Sequence, residues 1–415
     1  MMRRISSNMS HFDLQRAMRK QEHSLNNINN QIGSQEKIQE LRNDPLAAGH
    51  GVRYQSYLSR LERFEKNTSI VNDQFKVSEG YVNNTIQILQ RLRELSLTGA
   101  TGTFNKDDLK NMAVEVDELL QEILANGNAV GPDGGYLFSG TKTSSKSFTT
   151  VMGSVPGADS PVITKVMYQG SLEENQVEID ERAHINVDNV GSRIFWAENQ
   201  QIYSQVDSSN YQVPQDTSIY VDNIKINLTQ GDNVYSVIAK INDSGAPVKA
   251  HIDSITNGID LEATSPHQIW LQDSPGSNVL ADLGLITRDQ QPPYNVAQTA
   301  TSGGGSVFDV VIGIRDAMYS GDYEYLGGRG IRGLDGALDN MTAKIAELGS
   351  KTERIEMAQA RLDRQIPNVT GWEARELDLD FAEAVTNLKM MDYIQKATMG
   401  TIGRLYSNSL LNYLK

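Results

Sequence analysis

The apolar positions of this chain fall into two rhythms. Leu14, Met18, Gln21, Leu25, Ile28 and Ile32 are spaced four and three in alternation, the seam of a helix packed on another helix. In "SQEKIQELRNDPLAAG" the pattern breaks at Pro45. Leu109, Met112, Val116, Leu119 and Ile123 repeat the spacing until "NGNAVGPDGG" ends it with turn-forming Gly and Pro. From about residue 150 to 300 the texture is different. "VITKVMYQG", "NQVEID" and "HINVDNVG" are short β-prone runs between polar turns. "TSIYVDNIKINLTQGDNVYSVIAKIN" predicts a strand pair followed by a short amphipathic helix, and Gly303-Gly304-Gly305 a hinge out of the unit.

Helix then returns. Leu334, Leu338, Met341, Ile345, Leu348, Thr352, Ile355, Gln359, Leu362 and Ile366 keep one seam, which Pro367 is expected to close. At ~1.5 Å per residue this helix is roughly 50 Å long, too long for the inside of a compact domain and therefore a rod element. A last seam runs through Phe381, Ala384, Leu388, Met391, Gln395, Thr398, Ile402 and Leu405. The chain is thus expected to be α+β: out along helices, through a β-rich excursion, and back along helices. Gln, Thr, Asn and Ser dilute the terminal seams. Such a helix is marginal in water without a partner, so the terminal pair is expected to fold on assembly.

Charge narrows the functional classes. A formal net charge of −14 argues against nucleic-acid binding, which needs a basic surface. Residues 151–300 hold seven Lys and Arg against nineteen Asp and Glu, which reads as a solvated, outward-facing unit or as ordinary solubilising charge. There is no cysteine, so disulfides, thiolate metal sites and a cysteine nucleophile are excluded. "MMRRISSNMSHFDLQ" is basic without a following apolar run, and no segment is expected to enter a membrane.

The candidate chemistry is weak throughout. "GYLFSGTKT" approaches a phosphate-binding loop, but Thr141 separates Gly140 from Lys142 where the loop needs Gly-Lys. A turn precedes it and a Ser/Thr-rich tract follows, in place of the strand and helix that a phosphate site requires. Tyr136, Leu137 and Phe138 read instead as a strand that anchors the β excursion to the rod. "GGRGIRG", with Arg329 and Arg332, reads as a flexible lead-in to the long helix. His11, His23, His50, His184, His251 and His267 show no metal-ligand spacing. Asp378 and Asp380 suit the start of the last helix. Asn43, Asp44 and Pro45 read both as a helix break and as a joint where an assembling subunit bends. No catalytic residue, metal or cofactor is expected.

Several of these stretches carry a family resemblance. "MRRISSNM", "NDPLAAG", "GGYLFSGTKTSSKSF", "MYQG…NQVEIDERAHINVDNVGSRIF", "VFDVVIGIRDAMYSGD", "LGSKTERIEMAQARLD" and the C-terminal "LDLDFAEAVTNLKMMDYIQKATMGTIGRLYSNSLLNYL" resemble the hook–filament junction proteins of the bacterial flagellum, the FlgL type, hook-associated relatives of flagellin. The likeness covers essentially the full length. "IKINLTQGDNVYSVIAKIN…GIDLEATS…LADLGL" resembles a module also found in true flagellins, so the middle does not separate junction from filament. That distinction rests on "YLFSGTKT" and the segment around residue 308.

The resemblance implies a flagellin-like fold, a long antiparallel coiled-coil rod formed by both chain ends with an inserted β-rich domain. It implies terminal helices at 1–42 and 372–415 in an inner tube, a helical rod from 45–150 and 305–370, and an outer domain at 151–304. It further implies a non-enzymatic subunit exported through the flagellar channel. Its partners would be other copies in a ring, the junction protein FlgK on the hook side, flagellin on the filament side, and an export chaperone. Assembly would be carried by Leu14, Met18, Leu25, Ile28, Ile32, Phe381, Leu388, Ile402 and Leu405, with 43–45 as the joint and Tyr136, Leu137, Phe138 and Gly140 as the rod-to-outer-domain transition. The alternatives are filament flagellin and, from another class, a cytoplasmic nucleotide-binding enzyme.

Overall fold

In a computed structural model, the structure describes residues 7–40, 42 and 44–411, with side chains described for residues 12–13, 15–40, 42 and 44–403. The long helices begin where the local chemistry directs them. The Asp44 carboxylate accepts from the Leu46 and Ala47 N–H groups at 3.2 and 3.0 Å, and Pro45 opens α2, Pro45–Gly99, at the position where its missing N–H costs nothing. Asn105 and Asp108 form a capping box at the head of α3, Lys106–Gly127. Asp380 accepts from the Ala382 and Glu383 N–H groups at 3.0 and 3.1 Å. The chain divides into two compact units, 1–66 with 359–415 and 67–358.

In the first unit α1, Ser7–Ser34, packs on the final helix, Phe381–Leu411. Their inner ends are tied by an antiparallel pairing in which Lys37 N–H donates to Leu377 O at 2.7 Å and Leu379 N–H to Gln35 O at 3.0 Å. A small core of Leu61, Phe64, Leu362 and Val369 completes the unit.

In the second unit α2 buries Thr68, Phe75, Val82, Leu89 and Ser96, and also Val71, Ser78, Thr85 and Leu92, each set at a strict seven-residue spacing. The polar members are satisfied: Ser96 Oγ donates to Leu326 O at 2.9 Å, and Thr85 Oγ1 donates to Tyr81 O at 2.9 Å and accepts from Asn126 Nδ2 at 3.2 Å. Two hairpins follow α3, β1 (Phe148–Gly153) with β2 (Val162–Tyr168) and β3 (Gln176–Asp180) with β4 (Ala183–Asn186). After the short α4, Gly191–Ile194, come β5 (Gln201–Ser204), β6 (Thr217–Val221), β7 (Ile224–Leu228), α5 (Val234–Asp243), β8 (Val248–Ile252), β9 (Ile259–Ala263), β10 (Leu271–Asp273), α6 (Val279–Asp282) and β11 (Ala300–Gly303). They make an antiparallel sheet of order β10-β6-β7 and another of order β11-β5-β9-β8, around a core of their own. The strand pair and the amphipathic helix read from the sequence are β6, β7 and α5. Their hairpin turns on Asp222 and Asn223, both at positive φ, as a two-residue turn demands.

Helix resumes at α7, Val307–Ser320, and passes through α8, Tyr323–Tyr325, and a π-helical turn, Leu326–Gly330, into α9, Ile331–Leu377; the final helix, Phe381–Leu411, is α10. Three local expectations fail here. Residues 136–138 are not a strand: Tyr136 and Ser139 make isolated bridges within a turn, because successive N–H groups find different partners, Thr143 O and Ala129 O. "GGRGIRG" is helical, and not a flexible lead-in. Its glycines allow close packing, since a Cβ at Gly330 would meet Ile314 at 3.0 Å and one at Gly333 would meet Val310 at 2.8 Å. Nor does Pro367 end its helix, which runs on to Leu377. Pro367 and Asp363 are exposed, so the carbonyl deprived of its donor remains hydrated, while Leu362 and Val369 hold the seam on either side.

Candidate functional site

Two features qualify, one in each unit. In the first, Met18, Leu25, Ile28 and Ile32 lie half-buried on the stripe of α1 that carries Gln21, whose amide donates to Thr398 Oγ1 of α10 at 3.4 Å. Leu388 and Ile402 lie half-buried on the stripe of α10 that carries Thr398. These seam positions therefore face the pairing of the two terminal helices of one chain. Phe381 is largely exposed. The side chains of Leu14 and Leu405, and Asn43 altogether, lie outside the described residues.

The periodicity reading missed a second apolar stripe. Met390, Tyr393 and Ile394 are exposed, Tyr393 by 75%, about a third of a turn round α10 from its seam. The signal is present in "KMMDYIQKATM", where apolar residues recur on both sides of the helix. One seam suffices for the helix pair, which leaves the other stripe without a partner in the monomer.

In the second unit the transition residues close a node of rings. Leu137 and Phe138 are buried and Tyr136 half-buried. Phe138 meets Phe195 edge-on at 5.2 Å, Phe148 lies 4.9 Å from Phe308, and Phe195 stacks on Phe308 at 5.8 Å. Of the nine phenylalanines in the chain, four meet here, which concentrates a lean aromatic supply at one point. Tyr168 Oη donates to Phe138 O at 3.0 Å, and burial pushes its phenol well above the ordinary value, so it remains a donor. Gly140 sits at φ 62°, where a Cβ would come 2.5 Å from Ser171 O, so the close approach of two backbones requires glycine. Beside the node, Arg315 of α7 is fully buried and meets Asp117 of α3 at 2.7 Å and Asp316 at 2.8 Å.

The same geometry removes the phosphate-loop alternative from residues 135–143. Lys142 is exposed, the chain runs on through turns into β1, and the next helix starts only at Gly191. Among the described residues no three His, Cys, Asp or Glu side chains gather as a metal set, and no helix is long and apolar enough to cross a membrane.

A family model described as the bacterial flagellin N-terminal helical region matches residues 5–143, and one described as the bacterial flagellin C-terminal helical region matches residues 331–414, together more than half of the chain. Polar flagellin A of Vibrio parahaemolyticus is 22% identical over 400 residues, 96% of each chain. Flagellin D of Vibrio anguillarum is 25% identical over 333 residues, 79% of this chain and 77% of the relative. Among solved structures, the flagellar junction protein FlgL from Legionella pneumophila aligns at a TM-score of 0.45 and 15% identity, over 79% of this chain and 99% of that one. FlgL from Xanthomonas campestris aligns at 0.45 and 16%, over 77% and 99%.

Proposed function

We propose that this chain, which belongs to the bacterial flagellin family and is a flagellar structural protein, is the subunit that joins hook to filament. One observation carries the reading. The two segments that resemble the junction type rather than the filament type, around residues 136–143 and around 308, are bridged in one buried node by Phe195, which meets Phe138 at 5.2 Å and stacks on Phe308 at 5.8 Å. A node of this kind supports a junction role because a rigid transition passes torque from helices to β-rich domain without yielding.

In this reading the α1–α10 pair lines the inner tube, and the exposed stripe of Met390, Tyr393 and Ile394 meets neighbouring copies in the ring. The helices of 45–150 and 305–370 form the next shell, and 151–304 lies outermost. FlgK stands on the hook side and flagellin on the filament side, with an export chaperone covering the terminal helices before assembly. Residues 43–45 act as the joint, with Asp44 capping α2. The chain carries no catalytic task, nucleic acid or membrane insertion.

A second reading, filament flagellin, is favoured by the curated relatives, which bear flagellin names and align over as much as 96% of both chains. Immunogold labelling of isolated flagella with antibody to residues 151–300 separates the two. A single cluster between hook and filament is the expected result. Label along the whole filament makes the chain a flagellin, and antigen confined to the cytosol removes both readings.

A further inference from the structure

Of the three tryptophans in the chain, Trp372 is the one open to solvent: it is 46% exposed, while Trp196 is buried and Trp270 half-buried. Tryptophan is enriched at contact surfaces, where its large ring is covered on association. Trp372 lies in the unit of residues 1–66 with 359–415, in the last two turns of α9, and its ring meets that of Tyr54 on α2 at 6.1 Å and 52°. His50, one turn before Tyr54, meets the tyrosine ring edge-on at 6.3 Å. Glu376, one turn after Trp372, carries a carboxylate 3.6 Å from His50 Nδ1, beyond hydrogen-bond reach, and accepts no hydrogen bond among the described residues. Two rings beside an unsatisfied carboxylate attract a cation twice over, through the ring quadrupole and through the charge. Arg60, Arg63 and Lys165 lie over the rings of Tyr57, Phe64 and Tyr294, but among the described residues no cation of this chain lies over Tyr54 or Trp372.

The matching cations are present in "GGRGIRG". Arg329 and Arg332 are both exposed, three residues apart across the π-helical turn and the first turn of α9, and neither has an ion pair or hydrogen bond among the described residues. They flank the open surface of Gly328, where a Cβ would meet nothing within 4 Å. A gap beside two guanidiniums leaves room for a flat ring. Arginine, unlike lysine, both stacks on an indole and holds a carboxylate through two parallel bonds. Arg332 stands in the first turn of α9 and Trp372 in its last two, with about eleven turns of helix between them, so the two meet only between copies. Such a contact is heterologous, and repeated from copy to copy it builds a ring or a helical array.

We infer that the rings of Tyr54 and Trp372, with the Glu376 carboxylate, receive Arg332 of a second copy of this chain, head to tail. The contact rests on the reading of the chain as an assembling flagellar subunit, and is the same at the junction or along a filament. Because the chain has no cysteine, disulfide trapping starts without background. The full chain carrying Arg332→Cys and Glu376→Cys is produced in place of the parent, isolated flagella are oxidised with copper phenanthroline, and antibody to residues 151–300 is used to blot a gel run without reductant. A ladder of multimers that collapses on reduction is expected, with either cysteine alone giving no more than a dimer. Flagella that contain the double variant and yield only monomer overturn the contact, whereas a parent chain missing from flagella overturns the function proposed above. Charge exchange decides the matter where the cysteines block assembly. Arg332→Glu and Glu376→Arg each lower incorporation about tenfold and together restore it. A combined variant no better than the single ones overturns the contact. A loss in Glu376→Arg with none in Arg332→Glu assigns the ring site to a cation of another protein and overturns the second copy as its occupant.

Discussion

The hydroxyl of Tyr168 donates to the backbone oxygen of Phe138 at 3.0 Å and reaches that of Ser171 at 3.2 Å, so one side chain of β2 closes the turn that follows α3. Tyr168→Phe keeps the ring in the aromatic node, takes the hydroxyl from Ser171 O, and leaves Phe138 O with the Gly191 N–H at 2.9 Å as its remaining donor. Unfolding in urea should show a loss of about 1–3 kcal/mol. An unchanged midpoint would mean that the turn is held by backbone pairing alone.

Gly140→Ala tests the same turn through the backbone. At φ 62°, with Ser171 O only 2.5 Å from the position of the new Cβ, the residue can neither relax its dihedral nor find room. A destabilisation of about 1–3 kcal/mol is expected in the same urea experiment. Gly349→Ala, with open space around its Cβ in mid-helix, should be neutral or slightly stabilising.

Asp117→Ala removes one of the two carboxylates that hold the fully buried Arg315 guanidinium. Leaving that charge under-compensated should cost about 3 kcal/mol or more by thermal or chemical unfolding. Arg315→Met removes the charge itself and should be milder than Asp117→Ala; the reverse order would contradict this account.

Asp188 gives a pH prediction. Burial pushes its carboxyl above the ordinary 3.8, a hydrogen bond from the Asn175 N–H opposes the shift, and the Glu174 charge adds to it. The folded state therefore holds this proton more tightly than the unfolded state, and the contribution of Asp188 to stability falls as pH rises from 3.8 through the raised value. Asp188→Asn should lose that component of the pH dependence and be at least as stable as the parent at neutral pH. Parallel Tm-versus-pH curves for the two chains would refute it.

On the terminal helices two classes of substitution should separate. Leu25→Asp or Leu388→Asp places a charge in the α1–α10 seam, unpairing the helices and abolishing incorporation while the unit of 67–358 stays folded. Tyr393→Asp, on the exposed stripe, should leave the pair intact by circular dichroism and still reduce incorporation at least tenfold in isolated flagella. Normal incorporation of Leu25→Asp and Leu388→Asp sinks the seam assignment, and normal incorporation of Tyr393→Asp sinks the stripe.

Much of the fold is legible in residue spacing. The strands at 162–168, 176–180 and 217–228, the helix at 234–243 and the seam from Leu334 onward lie where the periods of two and of three-and-four put them. The 55 residues of α2 were not legible as one helix. Four of its nine buried heptad positions carry Thr68, Ser78, Thr85 and Ser96 in place of apolar residues, and their burial is permitted only by bonds such as that from Ser96 to Leu326 O, 230 residues away.

The linear chain by itself determined the helix–β–helix order, the caps at Asp44 and Asp380, the hairpin at Asp222-Asn223 and the likeness to flagellar axial proteins. These depend on neighbours within a few residues, where spacing and side-chain chemistry act directly. Tertiary structure decided the rest. It brought Phe138, Phe148, Phe195 and Phe308 together across 170 residues, buried Arg315 against Asp117, and carried α9 through Pro367. It also showed which stripe of α10 is taken by α1 and which is left open. Contacts between distant residues depend on the packing of whole elements, and that packing leaves no period in the chain to be read.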